Sequence, residues 1–311
     1  MAGKRSRSKR FRDWMIYILS RGLFAAGRII PAKFGAMKGS LLGSLAFRFS
    51  KRERRKAVKN IRMAFGESIS EKESRVVARE SFRHFGKVLF EVLKIRNLNR
   101  KTIEKKFVFE GLDVVTEAIK SKRGIVVATG HIGNWELMGA AAAQLGVPVN
   151  VIARQINDNR LNDLVIKLRA DAGVKTIVRE SAESAKMMLR SLKRGEMLAL
   201  LIDQDLKTEG VFVPFFGRDA WTPVGAAALA YRSGAVFAAA SVHRLEDGKH
   251  LVRVKAIDID DELERDHAII DATGRATKQL EQWIREKPEQ WAWFHDRWKT
   301  RPDEGNSEDA Q

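Results

Sequence analysis

The chain has 311 residues, of which 44% are hydrophobic and 31% charged, enough to bury a sizeable core and too apolar for a largely disordered chain. It contains no cysteine, which excludes disulfides, thiolate metal sites and a cysteine nucleophile. Net charge is +18, and residues 1–60 hold 17 lysines and arginines against only Asp13 and Glu53, so a basic terminus precedes a nearly balanced remainder and suits an anionic partner.

The opening stretch "KRSRSKRFRD" leads into "WMIYILSRGLFAAGRII", then "FGAMKGSLLGSLAFRF" and "KRERRK". Residues 14–30 are barely long enough to cross a bilayer, and Arg21 and Arg28 interrupt them. Seven residues apart, those arginines share one helix face, the pattern of an interfacial amphipathic segment with basic flanks. An interfacial anchor, a single span and a buried soluble helix all stay open. Nucleic acid is not expected, because no recognised binding motif accompanies the charge. Residues 1–50 therefore read as a basic, apolar membrane-anchoring segment, 51–300 as an α/β domain and 301–311 as a disordered tail.

Helical periodicity runs through residues 52–63 and 70–98. The texture then alternates. "GIVVA" reads as a strand and "NWELMGAAAAQLG" as a helix closed by Gly146. "VNVIA" is a strand, "NDLVIKLRADAG" a helix, "KTIV" a strand and "SAKMMLRSLKRG" a helix closed by Gly195. "MLALLI" is a buried strand, followed by a helix over residues 223–233. The strands "VFAAAS" and "HLVRVKAI" come next, then the helix "ATKQLEQWIREK". Such alternation predicts an α/β fold: a central, largely parallel sheet flanked by helices, with functional groups at the carboxyl ends of the strands.

His131 lies at such an end, directly after "GIVVA", between Gly130 and Gly133, which permit close backbone approach. Glu136 is five residues on. On one continuous helix the two would not meet. They can do so only if His131 sits in the loop and the helix starts near Asn134, a good N-cap residue. A helix-capping loop with an incidental histidine is the plainer alternative.

"TGHIGNWE" resembles the HX4(D/E) motif of the lipid A late acyltransferases, the lauroyl/myristoyl acyltransferase family, and of the related mannoside acyltransferases. Four further stretches resemble family blocks in the same order: "NIRMAFGESISEKES", "ARQINDNRLNDLV", "LLIDQDLKTEGVFVPFFGRDAWTPVGAAALA" and "KPEQWAWFHDRWKTRP". The chain departs at Gln155–Ile156 and Arg160, where many members carry proline, in the block on the acceptor side.

The resemblance implies transfer of an acyl group from an acyl carrier protein to a hydroxyl of a lipid A precursor, at the cytoplasmic face of the inner membrane. Other glycolipid, phospholipid or aminolipid acceptors, and a non-catalytic basic membrane-binding or nucleic-acid-binding protein, are the rivals. An alcohol is a poor nucleophile at neutral pH, so the reaction needs a general base, a role suited to His131. Glu136 is the first candidate to orient the ring and Asp203, in "IDQD", the second. Backbone amides between Gly130 and Gly133 could hold the developing oxyanion.

Arg154, just past "VNVIA", reads either as a head-group phosphate contact or as an ion pair with Asp158 or Asp163. Asn157 either shapes a turn or binds substrate. Phe215 and Phe216 either line an acyl groove or fill the core, and Gly217 supplies a turn. The tryptophans of "WAWFHDRW" close the core and reach the head group. The reaction needs no cofactor. The histidines show no paired metal spacing, so no metal is expected.

Overall fold

The computed structural model describes residues 14–15, 17–18, 21–22, 32–181 and 183–302. The basic residues 1–13, most of the apolar run and all but the first two residues of the tail expected over 301–311 lie outside them.

From residue 32 onward the described residues open with the helices α1 (Ala32–Phe49), α2 (Lys51–Phe65) and α3 (Glu71–Val92). Ser70 starts α3 with a capping box, accepting from the Glu73 amide while the Glu73 carboxylate accepts from the Ser70 amide. Helix α1 lies directly on α3, and glycines set the distance. A Cβ on Gly43 would stand 2.1 Å from the Phe82 carbonyl oxygen, and one on Gly86 2.0 Å from that of Gly39. The contact is backbone against backbone, so α1 is seated on the rest of the chain. Its outer face carries Phe34, Met37, Leu41, Leu45 and Phe49, all exposed and spaced three or four residues apart. Among the described residues, no helix is long and apolar enough to cross a membrane.

After α4 (Arg100–Lys106), the chain forms β1 (Phe107–Glu110), α5 (Leu112–Lys120), β2 (Ile125–Thr129), α6 (Trp135–Gln144), β3 (Val149–Ala153), α7 (Asn159–Asp171), β4 (Lys175–Val178), α8 (Ser184–Lys193) and β5 (Met197–Leu201). A hairpin, β6 (Gly210–Phe215) and β7 (Arg218–Pro223), leads to α9 (Gly225–Ser233), β8 (Val236–Arg244), β9 (His250–Ala256) and α10 (Arg265–Glu286). The sheet order is β1-β9-β8-β2-β5-β3-β4. Strands β2, β3, β4, β5 and β8 are parallel, as expected. The edge departs: β9 runs antiparallel to β8, and β1 is parallel to β9. The cause is the short connection after Arg244. Gly248, at φ +84°, turns it back with Leu245 N–H donating to Lys249, and so short a turn can only join antiparallel strands.

Helices cover both faces, which is why β2 is buried at every position. Val127, Val149, Ala238 and Ala240 face Val115 of α5 and Met138 and Ala142 of α6. Val126, Ala128, Leu198 and Ala239 face α9 and α10 through Ala226, Ala227, Ala276 and Leu280. The β6–β7 hairpin turns in two residues, Phe216 and Gly217, at φ +54° and +69°. These are the left-handed angles of a type I′ turn, unusual for phenylalanine. The Phe216 amide donates to Glu281 Oε2 (2.6 Å), and its ring packs on Phe65 and Trp293. Phe215 and Phe216 are thus core residues and do not line a groove; Gly217 is the turn residue expected.

Three buried histidines make the fold acid-sensitive. Burial pushes His84 down to about 3, with the Arg244 charge adding to it. Burial also pushes His243 and His295 to about 4, aided by Arg253 and by His131 respectively. Each is neutral when folded and regains its ordinary value near 6.5 when unfolded, so the unfolded chain binds more protons between those limits. Stability is full above about pH 6.5 and falls on acidification, at roughly 1.4 kcal/mol per pH unit for each histidine. Urea midpoints measured from pH 7.5 to 4.5 should fall steeply below pH 6.5. A flat profile there would contradict the burial of these rings.

Candidate active site

The site forms where β2 and β5 end side by side. The register pairs Ile125 with Met197 and Thr129 with Leu201. Carried two residues further, the same offset sets His131 against Asp203. The Asp203 carboxylate receives three donors. The His131 amide donates to Oδ2 (2.6 Å), the Trp291 indole donates to Oδ2 (2.8 Å), and His131 Nδ1 lies 2.8 Å from Oδ1. Burial opposes ionisation of Asp203, but the neighbouring His131 ring and amide and the Trp291 indole outweigh it and hold the carboxyl well below the usual range. An ionised carboxylate can only accept, so Nδ1 carries the hydrogen and Nε2 is left with its lone pair. That is the tautomer a general base requires.

Gly130 makes this approach possible. A Cβ there would sit 2.9 Å from Asp203 Oδ2. Gly133, at φ +59°, would put a Cβ 1.8 Å from the Val242 carbonyl oxygen. Only glycine fits either place, so both shape the loop around His131. Two of the loop amides are already engaged: that of His131 with Asp203, that of Gly133 with the Gln290 carbonyl (2.8 Å). Of the amides expected to hold an oxyanion, these two are therefore taken.

Asn134 is buried and caps α6, its Oδ1 accepting from the Leu137 amide while Nδ2 donates to Glu91. It therefore has a structural place and is not among the residues lining the cavity beside His131. Glu136, in the first turn of α6, does not orient the ring. Its carboxylate is held by Arg169 of α7 through Nε (2.9 Å) and Nη2 (2.5 Å). The capped helix start turns Glu136 toward α7, and the acid beside His131 is Asp203.

His131 opens on a cavity of about 550 Å³, within the usual size range for a ligand site. Trp135, Gln204 and Leu206 line it near the histidine. The rest is apolar, between the sheet (Val127, Val151, Ala199, Ala240, Val254) and helices α5 and α6 (Val115, Met138, Gly139, Ala142). Arg154 lies at its margin, exposed, with Nε 3.8 Å from Glu180; Asp158 pairs with Arg160 instead. Arg154 also borders a polar basin with Asn157, Arg179, Lys207 and Lys299. Asn157 is exposed there, within reach of a ligand in that basin.

Sequence reasoning missed the part played by the C-terminal segment. Trp291 supplies a donor to Asp203, and Ile132 forms a β-bridge with it. Asn60 of α2 donates to the Trp293 and His295 carbonyls (2.8 and 2.7 Å), and Ser81 of α3 to that of Trp291 (2.8 Å). The first and last motif blocks thus join each other, and the last is pressed onto the strand ends. His295 stands 4.9 Å from the His131 ring, with Gln204 between them. The aromatic–histidine cluster "WAWFHDRW" was the available signal.

A family model described as bacterial lipid A biosynthesis acyltransferase matches residues 1–300. The chain is 30% identical to the lipid A biosynthesis lauroyltransferase of Escherichia coli over 272 residues, 85% of each chain. It is 28% identical to the lipid A biosynthesis palmitoleoyltransferase of the same organism over 271 residues, 85% of this chain and 84% of that protein. It is also 27% identical to a phosphatidylinositol mannoside acyltransferase of Mycobacterium tuberculosis over 159 residues. That match spans half of this chain and half the length of the mannoside enzyme.

Proposed function

The chain belongs to the bacterial lipid A biosynthesis acyltransferase family, and from that premise we propose that it moves a fatty acyl group from acyl carrier protein to a hydroxyl of a lipid A precursor. The observation that carries this reading is the His131–Asp203 pair, with His131 opening onto a largely apolar cavity. The acceptor hydroxyl loses its proton to His131 Nε2 as its oxygen bonds to the thioester carbonyl carbon. The carbon–sulfur bond then breaks, and the imidazolium returns the proton to the departing thiolate. Asp203 stays ionised throughout, fixing the tautomer and stabilising the imidazolium. The acyl chain occupies the cavity between the sheet and α6. Arg154, with Arg179, Lys207 and Lys299, faces the phosphorylated head group. No covalent acyl-enzyme and no cofactor enter the scheme.

The protein works at the cytoplasmic face of the inner membrane, with residues 1–50 as its membrane-facing segment. The exposed stripe Phe34–Met37–Leu41–Leu45–Phe49 on α1, flanked by the basic residues of α2, supports interfacial attachment. The basic surface of α2 also suits an acidic carrier protein. The mannoside acyltransferase relative supports a second reading, in which a different glycolipid is the acceptor.

The test incubates the purified full chain with lauroyl and palmitoyl thioesters of acyl carrier protein and of coenzyme A. The acceptors are a lipid A precursor, a phosphatidylinositol mannoside and phosphatidylethanolamine, and products are identified by mass spectrometry. Lauroyl or palmitoyl esters of the lipid A precursor are expected. Product with no acceptor would overturn the reading. The cavity is tested in the same assay by Gly139→Met. A Cβ at Gly139 meets nothing closer than Val174 Cγ2 at 3.9 Å, so the longer side chain can enter the cavity. Preference should shift toward the shorter acyl group by about 10-fold or more. An unchanged preference would move the acyl chain elsewhere.

A further inference from the structure

The amides of His131 and Gly133 are both engaged, so neither can serve the tetrahedral intermediate. Yet a negative charge developing on a carbonyl oxygen in an apolar site needs a donor close by. A side-chain amide stands beside the base. Gln204 follows Asp203 past the end of β5, and its side-chain nitrogen lies 3.4 Å from His131 Nε2. The same nitrogen is 3.1 Å from His295 Nε2 and 3.3 Å from His295 Nδ1. Gln204 also lines the cavity beside His131 and Trp135.

Resting on the reading of His131 as the base, we propose that the Gln204 side-chain amide is the oxyanion donor of the acyl transfer, and that His295 is a positioning residue that aims it. An amide nitrogen carries two hydrogens. His131 Nε2 offers a lone pair, and His295, kept neutral by burial, offers another. One hydrogen therefore points at each ring. The bond to His295 holds the amide in place, while the other hydrogen caps the base until substrate arrives. When the acceptor hydroxyl takes up its place against Nε2, that second hydrogen is released into the space where the carbonyl oxygen must lie. As the hydroxyl oxygen bonds to the carbonyl carbon, its proton moves to Nε2 and the π pair moves onto the carbonyl oxygen, which accepts from Gln204. Collapse re-forms the carbonyl, breaks the carbon–sulfur bond and sends the imidazolium proton to the thiolate.

His295 is itself fixed. Its carbonyl accepts from Asn60, and its ring packs against Phe294 and the His131 ring. The last motif block thereby delivers two polar contacts to the strand ends, the Trp291 indole to Asp203 and the His295 ring to Gln204.

The experiment uses the full chain with lauroyl-acyl carrier protein and a lipid A precursor, and compares Gln204→Met, Gln204→Ala, His295→Phe and the Gln204→Met/His295→Phe double variant with His131→Ala. Methionine keeps the length of glutamine and removes the donor. Gln204→Met and Gln204→Ala should each lower kcat by about 10²- to 10³-fold with KM within about two-fold and unchanged melting, as for loss of an oxyanion donor. His295→Phe keeps a ring but removes the acceptor, so kcat should fall by about 10-fold. The double variant should be no slower than Gln204→Met alone, because His295 acts only through the amide. Near-wild-type kcat in Gln204→Met, or a faster enzyme once the cap is gone, would overturn the proposal while inactivity of His131→Ala kept the base in place. Full activity of His131→Ala would instead sink the reading beneath it.

Discussion

Asp203→Asn should reduce kcat by about 10⁴-fold, the loss that the same change produces in serine-protease triads. The geometry shows why so small a change acts so strongly. Two donors, the His131 amide and the Trp291 indole, converge on Oδ2, while the ring nitrogen meets Oδ1. An asparagine has one acceptor oxygen. The two convergent donors hold that oxygen in the Oδ2 position, so the side-chain NH₂ must face His131 Nδ1. Nδ1 then becomes the acceptor, and the ring hydrogen moves to Nε2. The imidazole is still present and still packed against Trp135, but it can no longer take a proton from an alcohol. His131→Ala should lose about as much, and the double variant little more, since the two act as a unit. The checks are steady-state kinetics with mass-spectrometric product detection, and nitrogen NMR of the labelled His131 ring to read the tautomer. An Asp203→Asn enzyme within 10-fold of wild type, with Nε2 bearing the hydrogen, would separate the tautomer from the chemistry.

The origin of that pair bears on what the chain discloses before folding. His131 stands out locally: a β-branched run, two glycines and a histidine are contiguous, and the strand precedes a capped helix. Its partner is not local. Glu136 is close in sequence, but the Asn134 cap directs it toward Arg169. Asp203 is 72 residues away and arrives only because β5 is the neighbour of β2 in the sheet. Alternating strands and helices predict a parallel sheet without giving its order. Once the order is known, the register carries His131 to Asp203 unaided. The β6–β7 hairpin escaped the reading for a related reason. Its turn is Phe216–Gly217 in place of an Asn-Gly pair, and Pro214 interrupts an otherwise strand-like run. Strand β1 is four residues long, too short for alternation to register, and its partner β9 lies 143 residues downstream. The Gln204–His295 contact depends on the C-terminal segment folding back over the strand ends, held there by Asn60 and Ser81. No spacing rule within that segment could have placed it.

Glu136 lies in the most recognisable motif of the chain, and the structure assigns its loss a different consequence from the loss of Asp203. Its carboxylate and the Arg169 guanidinium form a two-point contact, both side chains mostly buried at the cavity wall. Removing one member leaves the other charged and poorly hydrated, which in buried pairs costs about 3–5 kcal/mol. Because water in the cavity reaches this pair, the lower end of that range is expected. Glu136→Ala and Arg169→Ala should therefore destabilise the fold by similar amounts, and each should lower the melting temperature by several degrees. The double variant should be milder than the sum of the two, because no lone charge remains. Turnover at a temperature where the variants stay folded should fall far less than in Asp203→Asn, since neither residue contacts the base. The contrast separates two roles for one motif. If Glu136 steadied the imidazole, Arg169→Ala would leave turnover nearly intact while Glu136→Gln abolished it. If it holds α6 against α7 and shapes the cavity wall, the two changes act alike, and acyl preference shifts before the rate collapses. Glu136→Gln with a wild-type melt and a 10⁴-fold loss of kcat would return the carboxylate to the chemistry.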